Sequence, residues 1–441
     1  MSEPVRVVPF RETLRAWAYV ALNSFGGPAG QIAVMHREIV ERRGWIDERR
    51  FLHALNYSML LPGPEAQQLA TYIGWLMHGV RGGLAAGILF VLPGAIVLMA
   101  LSVVYAGFHD AALVQALFYG IKPAVIAVVA AAVVRISRRS LLSPVHVAIA
   151  IAAFVAIFFF DLPFPLIIIG AAIVGLVTQR RTKAVADEAT DAQADPRAVA
   201  RPSARRSAGA LLVGVAAWLA PTVVLLVVLG PSSIFTQVAL FFSFAAVITF
   251  GGAYAILAFI AQQAVDVYGW VTARQMVDGL GLAESTPGPL IMVVQFVAFL
   301  AAFAAPTGVD PFLAGAVAGL LVTWVTFVPS FTFIFSGAPY AEYIRSRPRP
   351  AAALSGISAA VTGVIANLAV WFSLQTLFAV TGELRLGPLR LHTVESASID
   401  LFAVSLAVVS YIALVRLRWP LLATLAASAT AGLVYYLLFV P

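Results

Sequence analysis

The chain has 441 residues, of which 61% are hydrophobic and 11% charged, with a formal net charge of +7. That composition places it among membrane proteins and leaves no basic soluble domain for a nucleic-acid partner. Cysteine is absent and the six histidines form no HxxxH or HExxH pair, so disulfides, a thiol nucleophile, a bound metal and a cofactor are not expected.

In chain order, residues 1–15 carry Arg6, Arg11 and Arg15 without the apolar core and cleavage site of a secretion signal. Two interruptions then break an apolar run: Phe25-Gly26-Gly27-Pro28 and Pro62-Gly63-Pro64, the second followed at once by Glu65. The pieces around them, 10–24, 28–41, 51–61 and 65–79, are too short to cross about 30 Å of hydrocarbon at about 1.5 Å per residue. Two readings stay open: re-entrant helical hairpins with the breaks at their tips, or spanning helices with kinks. The first is preferred, because Arg49 and Arg50 before the second break and Arg81 after it belong on one side of the membrane. Clear spanning stretches run over 84–107, 111–134, 145–160, 163–178, 209–230, 311–336, 351–378, 401–415 and 420–440. Residues 381–399 alternate apolar and polar about Gly387-Pro388 and read as a short external hairpin with no chemistry assigned.

The chain repeats itself. A shift of 225 residues carries Phe25-Gly26-Gly27 onto Phe250-Gly251-Gly252, Gly44-Trp45 onto Gly269-Trp270, and Pro62-Gly63-Pro64 onto Pro287-Gly288-Pro289. A shift of 236 then carries Pro93 onto Pro329 and Gly120-Ile121 onto Gly356-Ile357. Residues 36–50 hold five arginines and their counterparts 261–275 hold one, while Arg135 becomes Trp371. By the positive-inside rule the two halves are inverted. The expected organisation is a first half over 1–180 with a cytoplasmic N-terminus and a polar cytoplasmic linker over 181–206. A connecting transmembrane helix over 207–232 and an inverted second half over 233–441, with its C-terminus outside, complete it. The fold class is all-α and polytopic, with broken or re-entrant helices near the membrane midplane.

Such breaks expose backbone N–H groups at half-helix N-termini, where partial positive charge favours oxyanions. Proline suits the first helical position, and glycine lets a ligand touch the backbone. The candidate binding set is therefore Gly26, Gly27, Pro62, Gly63, Pro64, Gln67, Gly251, Gly252, Thr286, Pro287, Gly288 and Pro289, with Lys122 as an anion ligand or a partner for Glu65. Glu65 is the candidate coupling group, since a proton on it would relieve repulsion of a dianion. His53, Asn56 and Tyr57 share one helical face before the tip. Each is as much interhelical glue as ligand on this reading. Arg37 and Glu38 read as a cytoplasmic ion pair or gate. Glu65 maps to Leu290 and Lys122 to Ser358, so coupling chemistry is expected in the first half.

At these residues the chain resembles the chromate ion transporter family in its long two-domain form. The matching text is "FGGPAGQIAVMHREIVERRGWIDERRFLHALNYSMLLPGPEAQQLATYIGWLMHG", "FVLPGAIVLMALS" and "GIKPAVIAVV" in the first half. In the second it is "TFGGAYAILAFI", "YGWVTARQMVDGLGLAESTPGP" and "VTFVPSFTFIF". The resemblance implies a secondary transporter of the bacterial inner membrane that exports chromate and gives chromate resistance, with sulfate as a structural analogue. An exchanger or importer of sulfate or a related oxyanion is the alternative. The partners implied are chromate and the lipid bilayer, with a homodimer left open. Enzymatic activity is not expected: the spanning segments show no hydrolase set, and the chain has no GxxxxGK[ST] loop for a primary pump.

Overall fold

The computed structural model describes residues 8–179, 204–250, 252–338 and 348–439. The linker expected over 181–206 lies outside these residues except for 204–206, which open a helix, and Gly251 lies outside them as well.

The first stretch runs α1 (Phe10–Leu22), α2 (Gly27–His36), a π-helical turn (Arg37–Arg42), α3 (Glu48–Leu60), α4 (Glu65–Phe108), α5 (Ala112–Ser140), α6 (Pro144–Phe160) and α7 (Phe164–Gln179). The second runs α8 (Ala204–Leu229), α9 (Ile234–Ile248), α10 (Ala253–Gln262), a π-helical turn (Gln263–Val267), α11 (Ala273–Ser285), a 3-10 turn (Leu290–Met292), α12 (Val293–Ala304) and α13 (Pro311–Gly337). It continues with α14 (Pro348–Leu377), the strands β1 (Thr381–Leu386) and β2 (Leu389–Val394), α15 (Leu401–Val415) and α16 (Leu421–Phe439). Six of the described helices are long and apolar enough to cross a membrane, so this is a multi-pass, essentially all-helical protein.

The offset of 225 reappears in the backbone. It carries α3 onto α11 residue for residue, and the residue before each helix, Asp47 or Thr272, has φ −76° and ψ 161°. Both side chains cap their helix: Asp47 accepts from the Arg50 N–H and Thr272 from the Gln275 N–H, each cap contributing about 1 kcal/mol. Both π-helical turns end at a left-handed glycine, Gly44 (φ 59°) or Gly269 (φ 61°). Chemistry differs while geometry persists, because the glycines and caps at matched positions dictate the same turns.

Helix α4 is not one rod. His78 and Gly79 leave helical geometry, and the chain folds back so that Gly74 meets the Gly82 carbonyl and Gly87 meets Thr71. Only glycine permits backbones this close. Residues 65–77 thus return from the Pro-Gly-Pro break as a short arm, and 80–108 form the long helix. In the second half the same fold-back joins α12 to α13, with Gly315 against Phe299 and Gly319 against Gln295.

Beyond this point the halves interlock. Helices α15 and α16 pack on α5, while α6 and α7 pack on α14. Matched glycines make both crossings: Gly120 of α5 lies against Gly432 of α16, and Gly356 of α14 lies against Gly175 of α7. Helix α8 lies at the outside, against α13 and α9, with its apolar surface almost wholly uncovered, as a lipid-facing helix would be.

The expected hairpin is present, with Leu386 opposite Leu389 and Thr381 opposite Val394. Contrary to expectation it carries charge chemistry. Buried Arg390 places Nη1 3.4 Å from Asp161, 3.6 Å from Glu383 and 3.7 Å from Asp266. Gln262 also donates to Asp161. The hairpin therefore ties the end of α6 to the π-helical turn after α10. Alternation alone did not reveal this, because Arg390 sits on the face turned towards the protein.

Candidate functional site

The breaks meet in pairs across the repeat. The Gly63 N–H donates to the Thr249 carbonyl at 2.8 Å, and the Gly288 N–H donates to the Ser24 carbonyl at 2.8 Å. Gly63 and Gly288 are 225 apart, and so are Ser24 and Thr249. Each Pro-Gly-Pro break is thereby fastened to the Gly-Gly break of the other half. Glycine is required at these positions, since φ is +126° at Gly63, +102° at Gly288, +84° at Gly26, +67° at Gly27 and +95° at Gly252.

Each Pro-Gly-Pro break also seats against a proline-containing helix of the other half. Gly63 lies against the Ser330 hydroxyl, next to Pro329 of α13, and Gly94, next to Pro93 of α4, lies against the Pro287 carbonyl. Pro62, Gly63, Pro64, Pro287, Gly288 and Pro289 are thus gathered with Gly26, Gly27 and Gly252 into one central region.

The polar lining differs between the two ends. At the first, Glu65 opens α4 after Pro64 and points its Oε1 towards Gly252, 3.4 Å from where a Cβ would stand. Gln67 and Gln68 are fully buried; Gln67 donates to Thr71 at 3.1 Å and Gln68 to the Pro62 carbonyl at 2.6 Å. Their Oε1 atoms, and the Ser330 hydroxyl, have no hydrogen-bond partner among the described residues. At the second end, the Tyr254 hydroxyl stands over Gly27 and donates to Glu284 at 2.6 Å, leaving Glu284 Oε2 without a partner among the described residues. Gln31 donates to the Gly288 carbonyl at 2.6 Å, and Thr286 spends its hydroxyl on the Ala283 carbonyl at 3.0 Å. An unmet buried polar atom costs about 1–3 kcal/mol, so these oxygens can each take a polar partner.

Several sequence expectations are revised. Lys122 pairs with Asp278 at 3.1 Å and not with Glu65, and Tyr105 donates to the same carboxylate at 2.8 Å. The fold places α11 beside α5, which brings Asp278 to Lys122. Glu38 pairs with Arg42 at 3.1 Å and Arg43 at 2.6 Å rather than with Arg37, because neighbours in sequence diverge on a helix and residues four or five apart meet in a π-helical turn. His53 lies near the Tyr72 ring and Tyr57 is buried beside it, whereas Asn56 is exposed, so the three do not line one surface. Asp278 and Glu284 went unrecognised. At the offset they stand over His53 and Met59, so a search for charge shared by the halves passes over them.

A cavity of about 470 Å³ reaches this region from one side. Its lining includes Gly26 and Tyr254 together with Arg135, Arg138, Arg139 and Trp419.

Comparison with known proteins agrees with this arrangement of two repeats. The chromate transporter family model matches residues 11–176 and again 236–433. A chromate transport protein of Pseudomonas aeruginosa is 34% identical over 78% of this chain and 76% of its own length. A probable chromate transport protein of Synechococcus elongatus is 28% identical over 80% and 82%, respectively. A chromate transport protein of Cupriavidus metallidurans is 26% identical over 78% of each. No solved structure matches the chain.

Proposed function

The chain belongs to the chromate transporter family, and from that premise we propose that it is a secondary transporter that exports chromate across the bacterial inner membrane and gives chromate resistance. The observation that carries the site is the reciprocal pair of bonds, Gly63 to Thr249 and Gly288 to Ser24, which draws four helix breaks into one buried region. There the first residues of α2, α4 and α10 offer backbone N–H groups to a tetrahedral dianion. Gln67, Gln68 and Ser330 sit close by with unmet polar atoms. Glu65 holds the coupling proton: a carboxylate here repels a dianion, and protonation removes the repulsion. Lys122 acts through Asp278, holding α5 against α11. Two inverted halves are supported by the arginine bias and by the grouping of Asp161 and Asp266 under the hairpin, away from Arg135 and Arg139.

The test is chromate uptake into everted vesicles from cells producing the chain, with sulfate as competitor and a proton-gradient collapser as control. Saturable uptake abolished by the collapser is expected, and uptake equal to that of empty vesicles rejects the reading. Glu65→Gln is expected to flatten the pH dependence of that uptake; an unchanged profile removes Glu65 as the coupling group. Cysteines introduced at Arg42 and Val267 test inversion, because impermeant reagents should reach them from opposite faces.

A further inference from the structure

We infer that Arg135, Arg138 and Arg139 form an entry site where the oxyanion docks before it reaches the helix breaks. This inference rests on the transport reading above. The three residues stand at i, i+3 and i+4 of α5, so one helix face presents three guanidinium groups. That face lines the same cavity as Gly26 and Tyr254. The volume of about 470 Å³ is many times what one water needs, enough for a hydrated tetrahedral anion.

Arg135, Arg138 and Arg139 have no carboxylate at ion-pair distance among the described residues; Arg81 and Arg274 are unpaired there as well, and what sets these three apart is that they line one cavity together. Guanidinium groups bind oxyanions through paired N–H donors, and an uncompensated cluster in a cleft raises the local concentration of anions. The Glu284 carboxyl group stands behind Tyr254, which donates to it. An anion in the cavity is therefore flanked by three cations, and the cavity lining includes the tyrosine rather than the carboxylate behind it. The phosphate of an anionic lipid has the same chemistry and is the competing source.

The test compares the full chain with the triple variant Arg135→Gln, Arg138→Gln, Arg139→Gln in phosphatidylcholine proteoliposomes. Removing three steering charges is expected to raise the KM for chromate about tenfold with Vmax within twofold, and to abolish the fall of kcat/KM with rising ionic strength. A second readout needs no transport. Chromate should quench Trp419 fluorescence, measured as the difference from Trp419→Phe, in nanodiscs of phosphatidylcholine alone, and the triple variant should lose that quenching. A transporting wild type whose triple variant keeps its KM and salt dependence overturns the entry site and leaves the transport reading standing. A wild type that transports nothing but loses quenching on triple substitution keeps the site and removes the transport reading. Quenching that is absent or indifferent to the substitutions in a non-transporting protein rejects both. If the triple variant differs from wild type only when phosphatidylglycerol is added, the arginines hold lipid and the entry site is overturned.

Discussion

The pair α2 and α3 and the pair α10 and α11 share their turns, and opposite surroundings set them apart. Every residue of α10 from Ala253 to Ala261 is buried, as is α11 from Met276 to Glu284. In α2 only Gly27, Gln31 and Met35 are buried, and in α3 only Phe51, Ala54, Tyr57 and Ser58. Matched caps, turns and glycines make the two pairs alike, so local geometry does not decide burial. Side-chain identity does. Where α3 carries Asn56 facing outward, α11 carries Gly281 against Ile121. The second pair lies in a core shared with α5, α12 and α14, while the first pair packs on α4 in a smaller cluster of its own.

Exchanging residues between the pairs should break the comparison most severely. Gly281→Asn places a Cβ 2.6 Å from the Ile121 side chain and buries an amide, so loss of folded protein in detergent gel filtration is expected. The reverse change, Asn56→Gly, should cost under about 1 kcal/mol and leave transport near normal. Equal effects would show that burial in the two pairs is not different. The next largest effect concerns a contact that only the buried pair makes. Lys122→Ala strands Asp278 among apolar helices and should destabilise by about 3 kcal/mol. Adding Asp278→Asn should recover much of that in thermal melting, and additive losses would deny the pairing.

The smallest effect lies at the hairpin beyond α14. Burial, aided by Arg390, lowers the pKa of His392 below its usual value, so the folded protein holds this ring neutral. Its contribution to stability is present above about pH 6.5 and is lost as pH falls through the lower folded-state value. Wild-type melting should therefore drop between pH 7.5 and 5.5 by about 2 °C more than that of His392→Asn. Identical pH dependence in the two proteins would exclude the histidine.

The repeat and the breaks were legible because positive φ and proline leave their mark on sequence: Gly26, Gly63, Gly252 and Gly288 stand where no other residue fits well. Six of the nine expected spanning stretches are helices long and apolar enough to cross, whereas 145–160, 163–178 and 401–415 form shorter apolar helices. Partners were not. Nothing in the pattern around Lys122 says that α11 lies beside α5, and nothing in "LRLHTV" says that Arg390 turns inward to Asp161. Glu284 was hidden by symmetry, since the half that lacks a counterpart to Glu65 supplies its own carboxylate one helix earlier.

The crossings of Gly120 with Gly432 and of Gly356 with Gly175 bear on mechanics. Backbones in such close register do not slide past one another without tearing open the packing on both sides. The rigid element of this molecule is therefore neither repeat alone: α5 and α14 pack on each other, α15 and α16 clasp the first, and α6 and α7 clasp the second, so one unit is built from both ends of the chain. The helix breaks are fastened across the repeat by two main-chain bonds, Gly63 to Thr249 and Gly288 to Ser24, so each break carries a tie to the opposite half.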